Sequence, residues 1–357
     1  MTRETLAQQH HHYHPLRIAR VIDETADARS FVLEIPAELA EAFRYEAGQH
    51  LTFKIAWRGQ ELLRCYSLAS SPDCESEHKV TVKRIDDGRI SNWLNERLKE
   101  GDRVLVLPPA GRFVLRPSGR EIVCFAGGSG ITPVISLIKS ALAASGRRLK
   151  LVYANRDAAS IIFRAELDAL AARHPERLAV VHSLDVRDGF LTPERVRAEA
   201  AGREEAEFYL CGPGSFMDAV ESGLDAAGVP RERVFKEVFV SPDDPQAHAR
   251  DDAARAAEAE AGGGACRSIA ITLDGETREL PYTPGKTVLE TAVEAGLQAP
   301  FSCQDAYCSC CMAKLVAGEV KMRKNDCLNA RDLADGWVLC CQSIPQTASV
   351  HIDWDQS

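Results

Sequence analysis

No stretch of the 357-residue chain approaches the ~18 uninterrupted apolar residues that a membrane-spanning helix requires. Membrane insertion is therefore not expected. The opening residues, "MTRETLAQQHHHYHPL", have no apolar core behind their basic residue, so they do not read as a secretory signal. Positive charge is also in short supply: 43 Lys and Arg face 52 Asp and Glu, a net charge of −9. That balance argues against nucleic acid as the main partner, because phosphate backbones need a basic face. Cysteine is modest, at 12 residues. Without export these thiols would stay reduced in a cytoplasmic setting, so disulfides are not expected. Metal binding or redox work becomes the default for any tight cluster. No Ser/His/Asp constellation or paired carboxylate site stands out.

What is present divides into three parts, as the length suggests. Residues 1–14 read as a disordered lead-in, with His10, His11, His12 and His14 an unstructured run or a weak metal site. Residues 15–118 carry short alternating runs, "ARSFVLEIP", "GQHLTFKIAW", "HKVTVKRI" and "DRVLVLPPAGRFVL", interrupted by one helical stretch from Ser91 to Gly101. This pattern predicts a small antiparallel β-barrel. From 119 to 242 continuous apolar runs such as "EIVCFA" and "LKLVYANR" alternate with amphipathic helices, which predicts an α/β domain with a parallel, Rossmann-like sheet. Residues 243–265 hold no large apolar side chain and read as a linker. Residues 266–357 open on two alternating runs joined at Asp274-Gly275, a hairpin signal. This last part carries twelve acids against eight basic residues. Such a surface suits docking on a basic partner, or simply a solvated face.

The stretch "FSCQDAYCSCCMAKL" holds the densest chemistry. Cys303 to Cys308 is C-x4-C, Cys308 to Cys311 is C-x2-C, and Cys340 or Cys341 offers a distant fourth thiol. Three thiolates from one loop and one from later in the chain is the plant-type [2Fe–2S] spacing. Structural zinc prefers two close pairs, and only one is here. A thioredoxin-like motif expects a βαβ context, whereas a hairpin precedes this one.

From residue 266 onward the chain resembles plant-type ferredoxins, which implies a β-grasp fold. "GWVLCCQSIP" is similar to that family's segment around its last ligand, and alignment on Trp337 and Gln342 makes the metal ligands Cys303, Cys308, Cys311 and Cys341. Cys310 and Cys340 become bystanders. The family usually has Gly two residues before the second ligand; here Ala306 stands there, which implies a strained or altered loop. "RCYSLASSP" resembles the R-x-Y-S signature of the ferredoxin–NADP reductase superfamily. The likeness implies FAD, with Arg64 at its pyrophosphate, Tyr66 against the isoalloxazine and Ser67 at N5. "GRISNWL" lies where the superfamily places the FAD phosphate, so Arg89, Ile90 (through its backbone), Ser91 and Asn92 are candidates, with Ser91 able to cap the helix.

"GGSGITP" matches the same superfamily's G-x-G-x-T-P nicotinamide nucleotide loop, with Gly127, Gly128 and Gly130 allowing close approach. Thr132 would cap the next helix and Pro133 would open it. "LCGPGSFM" resembles the C-G-P segment, which puts Cys211 near nicotinamide C4 and makes Gly212 and Pro213 a turn. "FKEVFVS" resembles the segment closing that domain, which brings Glu237 and Phe239 to the flavin face. After the second strand of this sheet Asp157 would repel a 2′-phosphate and Arg156 would attract one, so NADH is expected and NADPH stays open.

The resemblance spans nearly all of 15–357. NAD(P)H gives two electrons together, a [2Fe–2S] cluster takes one, and FAD must stand between them. Ser67, Cys211 and Glu237 are the candidate catalytic residues. "TADARSFVLEIP", "LVYANRDAASIIF" and "FSC" look most like the reductases of 3-ketosteroid 9α-hydroxylases, with phenylacetyl-CoA epoxidase reductases similar in layout. The implied partner is a separate terminal oxygenase, of Rieske type. Rival readings are a self-contained oxidase and an iron–sulfur sensor with a reductase-like body.

Overall fold

Alternation of apolar and polar side chains builds the first domain. The computed structural model describes residues 12–239 and 266–356; the linker reading of 243–265 and His10 and His11 lie outside them. Strands β1 (His14–Thr25), β2 (Ala28–Glu34), β3 (His50–Trp57), β4 (Gln60–Ser67), β5 (His78–Lys83) and β6 (Arg103–Ala110) form one antiparallel sheet in the order β4-β3-β6-β1-β2-β5. A bridge between Leu68 and Val80 links its two ends into a barrel. Leu16, Ile18, Phe31, Leu51, Phe53 and Val106 fill the interior at zero exposure, joined by Leu94 of helix α1 (Arg89–Arg97). Each such side chain contributes about 1.5–3 kcal/mol on leaving water.

The lead-in ends earlier than expected, because β1 already begins at His14. Its period-2 pattern is broken by a bulge between Ile18 and Arg20, which shifts every later side chain by one face. A strand interrupted this way does not alternate in sequence.

In the second domain β7 (Ile122–Gly127), β8 (Leu149–Asn155), β9 (Leu178–Leu184), β10 (Glu207–Gly212) and β11 (Val234–Val238) form a parallel sheet ordered β11-β10-β7-β8-β9. All six residues of β7 are buried, as expected for a central strand covered on both faces. Cys124 and Ala126 pack toward α2 (Ile131–Ala144) and α3 (Arg164–Arg173). Val123 and Phe125 pack toward α4 (Pro193–Ala200) and α5 (Gly214–Ala226). Strand order reverses between β7 and β10, where open α/β sheets bind ligands. The barrel shares this core: Ala47, Ala69 and Phe113 lie with Val134 and Leu137 of α2, and Ser136 donates to the Ser70 carbonyl at 2.5 Å.

The third domain pairs β12 (Ser268–Leu273) and β13 (Glu276–Pro281) in a hairpin turned at Asp274 and Gly275, with φ of 57° and 78°. After α6 (Val288–Glu294) come β14 (Met312–Ala317), β15 (Val320–Met322), α7 (Ala330–Ala334), β16 (Trp337–Leu339), β17 (Ser343–Pro345) and β18 (Ser349–Asp353). The main sheet runs β13-β12-β18-β14-β16, with β12 and β18 parallel, around a core that includes Trp354. Thr287 and Glu290 form a capping box that starts α6. An ion pair between Arg112 and Asp332 fastens this domain to the barrel. Among the described residues no helix is long and apolar enough to cross a membrane.

One buried pair lends itself to a test. Arg147 donates to Glu207 at 2.5 Å, with both side chains under a tenth exposed. Removing one partner strands the other charge in the interior, so Glu207→Ala should cost about 3–5 kcal/mol in urea denaturation. Glu207→Gln should cost less.

Candidate functional site

One cleft and two loops gather the residues that carry chemistry. The first cleft, about 390 Å³, is lined by Arg64, Tyr66, Ser67, Arg89, Ile90 and Ser91, and Thr132 and Phe239 reach it from the second domain. Tyr66 is held edge-on by Phe53, with ring centroids 5.3 Å apart. Helix α1 does not start as the sequence suggested. Gly88 is the N-cap, and Ser91 lies within the helix, its Oγ accepting from the Ile85 N–H at 3.2 Å. A Cβ at position 88 would stand 2.5 Å from Ser91 Oγ, so the bend of the chain selects glycine there. The consequence is a helix amino end with no side-chain cap, facing a cleft that also contains Arg64 and Arg89. Uncapped N–H groups and two guanidinium groups are what a pyrophosphate requires. Asn92 is not part of this lining; its amide donates to the Ile85 carbonyl.

The glycine loop lies against the Cys211 segment. A Cβ on Gly130 would fall 2.0 Å from the Cys211 carbonyl oxygen, so only glycine permits the contact. Gly128 has φ of +52°, and Gly127 and Gly212 lie beside Pro213 and Phe216. Gly130, rather than Thr132, caps α2; Thr132 and Pro133 follow inside the first turn, and Thr132 donates to the Ser129 carbonyl at 3.0 Å. The two starts differ from expectation for different reasons: Gly88 is an extended N-cap without a side-chain acceptor, whereas a 3-10 turn over Gly128–Gly130 runs directly into α2 and leaves Thr132 inside it. Cys211 pairs in register with Glu237 across β10 and β11 and is fully buried. Burial, and secondarily the Glu237 carboxylate, pushes its thiol well above the usual value. Ser67 donates to Glu237 Oε2 at 2.8 Å, so Ser67, Cys211 and Glu237 converge. Asp157 caps the turn at Ala158–Ser160 and pairs with Arg156 at 3.0 Å. The arginine, first among several causes, holds the Asp157 carboxyl below its usual range.

The cysteine loop curls through three left-handed non-glycine residues, Gln304 (φ 55°), Ala306 (63°) and Ser309 (51°). The strain expected at Ala306 is present, because a Cβ in this region crowds the backbone. The curl turns backbone donors inward: the N–H groups of Asp305 and Cys308 each point at Cys303 Sγ at 3.4 Å. Gln342 donates to the Gln304 carbonyl at 2.9 Å and lies 3.7 Å from Cys341 Sγ. Contact with the Cys341 thiol, followed by burial, pushes the Cys311 thiol up, so these two sulfurs face each other. Cys340 has no exposure, and its N–H donates to the Cys311 carbonyl. Four thiols around one loop, with backbone donors aimed at sulfur, fit a [2Fe–2S] cluster.

Comparisons with known proteins match each of the three domains. Models of an oxidoreductase FAD-binding domain, an oxidoreductase NAD-binding domain and a 2Fe-2S iron-sulfur cluster binding domain match residues 15–115, 125–222 and 271–346. The ferredoxin reductase component of 3-ketosteroid-9-alpha-monooxygenase from Rhodococcus rhodochrous is 42% identical over 95% of this chain and 96% of its own length. The chain belongs to the family of oxygenase reductase components built from these three domains. A component of the 1,2-phenylacetyl-CoA epoxidase of Escherichia coli is 32% identical, over 96% of this reductase and 98% of that protein. Among solved structures, phthalate dioxygenase reductase superimposes with a TM-score of 0.60 at 25% identity, covering 96% of this reductase and 98% of that chain.

Sequence patterns gave no notice of the seam between the domains of the reductase. His50, Thr52, Cys65, Ser302 and Cys310 meet there, with Cys65 donating to Ser302 at 3.1 Å. No motif joins them; the one signal was the unassigned thiol between two ligands.

The sulfur positions make a sharp expectation. Cys341→Ser should abolish bound iron and acid-labile sulfide while leaving FAD content unchanged, and Cys340→Ser should retain both. Iron loss in the Cys340 variant alone would move the ligand by one residue.

Proposed function

We propose that this chain is the NAD(P)H-dependent reductase component of a multicomponent oxygenase, delivering single electrons to a separate terminal oxygenase of the Rieske type. The observation that carries the reading is a hollow of about 80 Å³ lined by Arg64, Ser67, Glu237, Phe239, Cys303 and Cys308. Residues of the flavin cleft, the nucleotide domain and the cysteine loop share one wall. When bound, FAD and the [2Fe–2S] cluster supply the conversion of a two-electron donor into single electrons.

Arg64, Arg89 and the amino end of α1 hold the FAD pyrophosphate in this reading, and Tyr66 supports the flavin ring. Ser67 and Glu237, joined at 2.8 Å, present a hydroxyl and a carboxylate able to hold a proton beside the reacting face. Gly127, Gly128, Gly130, Gly212 and Pro213 pack into one wall that would hold the nicotinamide nucleotide, with Cys211 near it as an uncharged thiol. The Arg156–Asp157 pair cancels its own charge and supports NADH over NADPH. Cys303, Cys308, Cys311 and Cys341 hold the irons. The acidic ferredoxin domain suits a basic docking surface on the oxygenase. The eight cysteines outside the proposed ligand set form no disulfide, which supports a cytoplasmic setting.

Anaerobic titration with NADH tests the reading. Flavin and iron–sulfur absorbance should bleach together with stoichiometric NADH. Bleaching that requires dithionite would refute it in favour of a sensor. Capture of the native oxygenase by the tagged reductase would then name the partner.

A further inference from the structure

His50 opens β3 and is 3% exposed, yet no motif includes it. A buried imidazole must find partners for both ring nitrogens, one as donor and one as acceptor when it is neutral. Here the partners come from two other domains. Nδ1 lies 3.8 Å from Glu237 Oε1, and the other oxygen of that carboxylate accepts from Ser67. Nε2 lies 3.3 Å from the sulfur of Cys310, which also sits 3.3 Å from Thr52 Oγ1. The 3.8 Å approach of Nδ1 to Glu237 is an electrostatic contact rather than a hydrogen bond, and because a carboxylate only accepts, it favours the imidazole proton on Nδ1. Nε2 is then left to accept from a thiol, with Cys310 Sγ at 3.3 Å and the Cys65 sulfur within 4.8 Å of the same imidazole. A continuous line of polar contacts thus runs from Ser67 through Glu237 and His50 to the loop between Cys308 and Cys311.

We propose that His50 is a positioning residue that joins the three domains, its Nδ1 holding Glu237 against Ser67 and its Nε2 holding the cysteine loop through Cys310. The assignment rests on the reductase reading above. The two nitrogens serve different halves of that activity. Glu237 belongs to the face where nicotinamide meets flavin, whereas Cys310 sits between two iron ligands. Cys310 thereby acquires a purpose that its absence from the ligand set does not give it.

The two amide residues separate these roles, because the Asn amide reaches about as far as Nδ1 and the Gln amide about as far as Nε2. In the holoprotein, His50→Asn should keep flavin bleaching by NADH within about two-fold of the unsubstituted rate. Growth of the reduced-cluster EPR signal should slow about ten-fold or more, since small displacements of a reacting group are costly. Backbone amides of 301–311 should exchange hydrogen about ten-fold faster in the same variant. His50→Gln should do the reverse: loop exchange unchanged and flavin bleaching slowed about ten-fold. Equal losses in both variants, or none in either, would overturn the assignment.

A second pair guards against a general packing defect at position 50. Cys310→Ser keeps a donor for Nε2 and Cys310→Ala removes it, so only the alanine variant should show faster loop exchange. Equal exchange in the two would also overturn the proposal. This readout needs no NADH, so it judges His50 separately. Failure of the unsubstituted protein to bleach would instead sink the reductase reading.

Discussion

The β3–β4 hairpin is the wall against which the other parts of the molecule are set. Its two strands are paired residue for residue from His50–Ser67 to Trp57–Gln60, and side chains of a strand alternate between faces. Leu51 and Phe53 therefore enter the barrel core, with Tyr66 and Arg64 opposite them at its rim. His50, Thr52, Cys65 and Ser67 share the other face. The parallel sheet touches that face through Glu237, and the ferredoxin domain touches it through Ser302 and Cys310. A slip of one residue in this pairing would exchange the two sets and dismantle the site.

Local conformational cost is concentrated where function needs it. The cysteine loop accepts three left-handed non-glycine residues, which are uncommon because Cβ crowds the backbone there. What the strain secures is a concave array of N–H groups directed at sulfur, which no regular helix or strand provides. The helix starts show the opposite economy. Gly88 and Gly130 replace side-chain caps, so the first N–H groups of α1 and α2 are not taken up by a side chain at the places where phosphate groups would lie.

Much of the fold was legible because its signals are local. The β7 run is apolar along its length since both faces are covered, and Asp274-Gly275 turns a hairpin because both residues tolerate positive φ. Less visible were features decided by irregularity. The bulge after Ile18 hid β1, an extended Gly88 moved the cap of α1 away from Ser91, and a 3-10 turn leading into α2 placed Thr132 within it. Asn92 does not line the cleft, because its amide is taken up by the Ile85 carbonyl.

The order of domains, the close spacing of Cys303, Cys308 and Cys311, and the R-x-Y-S and glycine-loop segments were legible in the sequence itself, because each short motif is a local spacing that one loop or one strand imposes. Only the tertiary structure decided which of these segments touch. His50 and Cys310 are 260 positions apart, and Ser67 and Glu237 are 170 apart. No periodicity links residues at such separations. They meet because three independently formed cores pack against one hairpin, and burial there obliges each polar atom to find its partner in another domain.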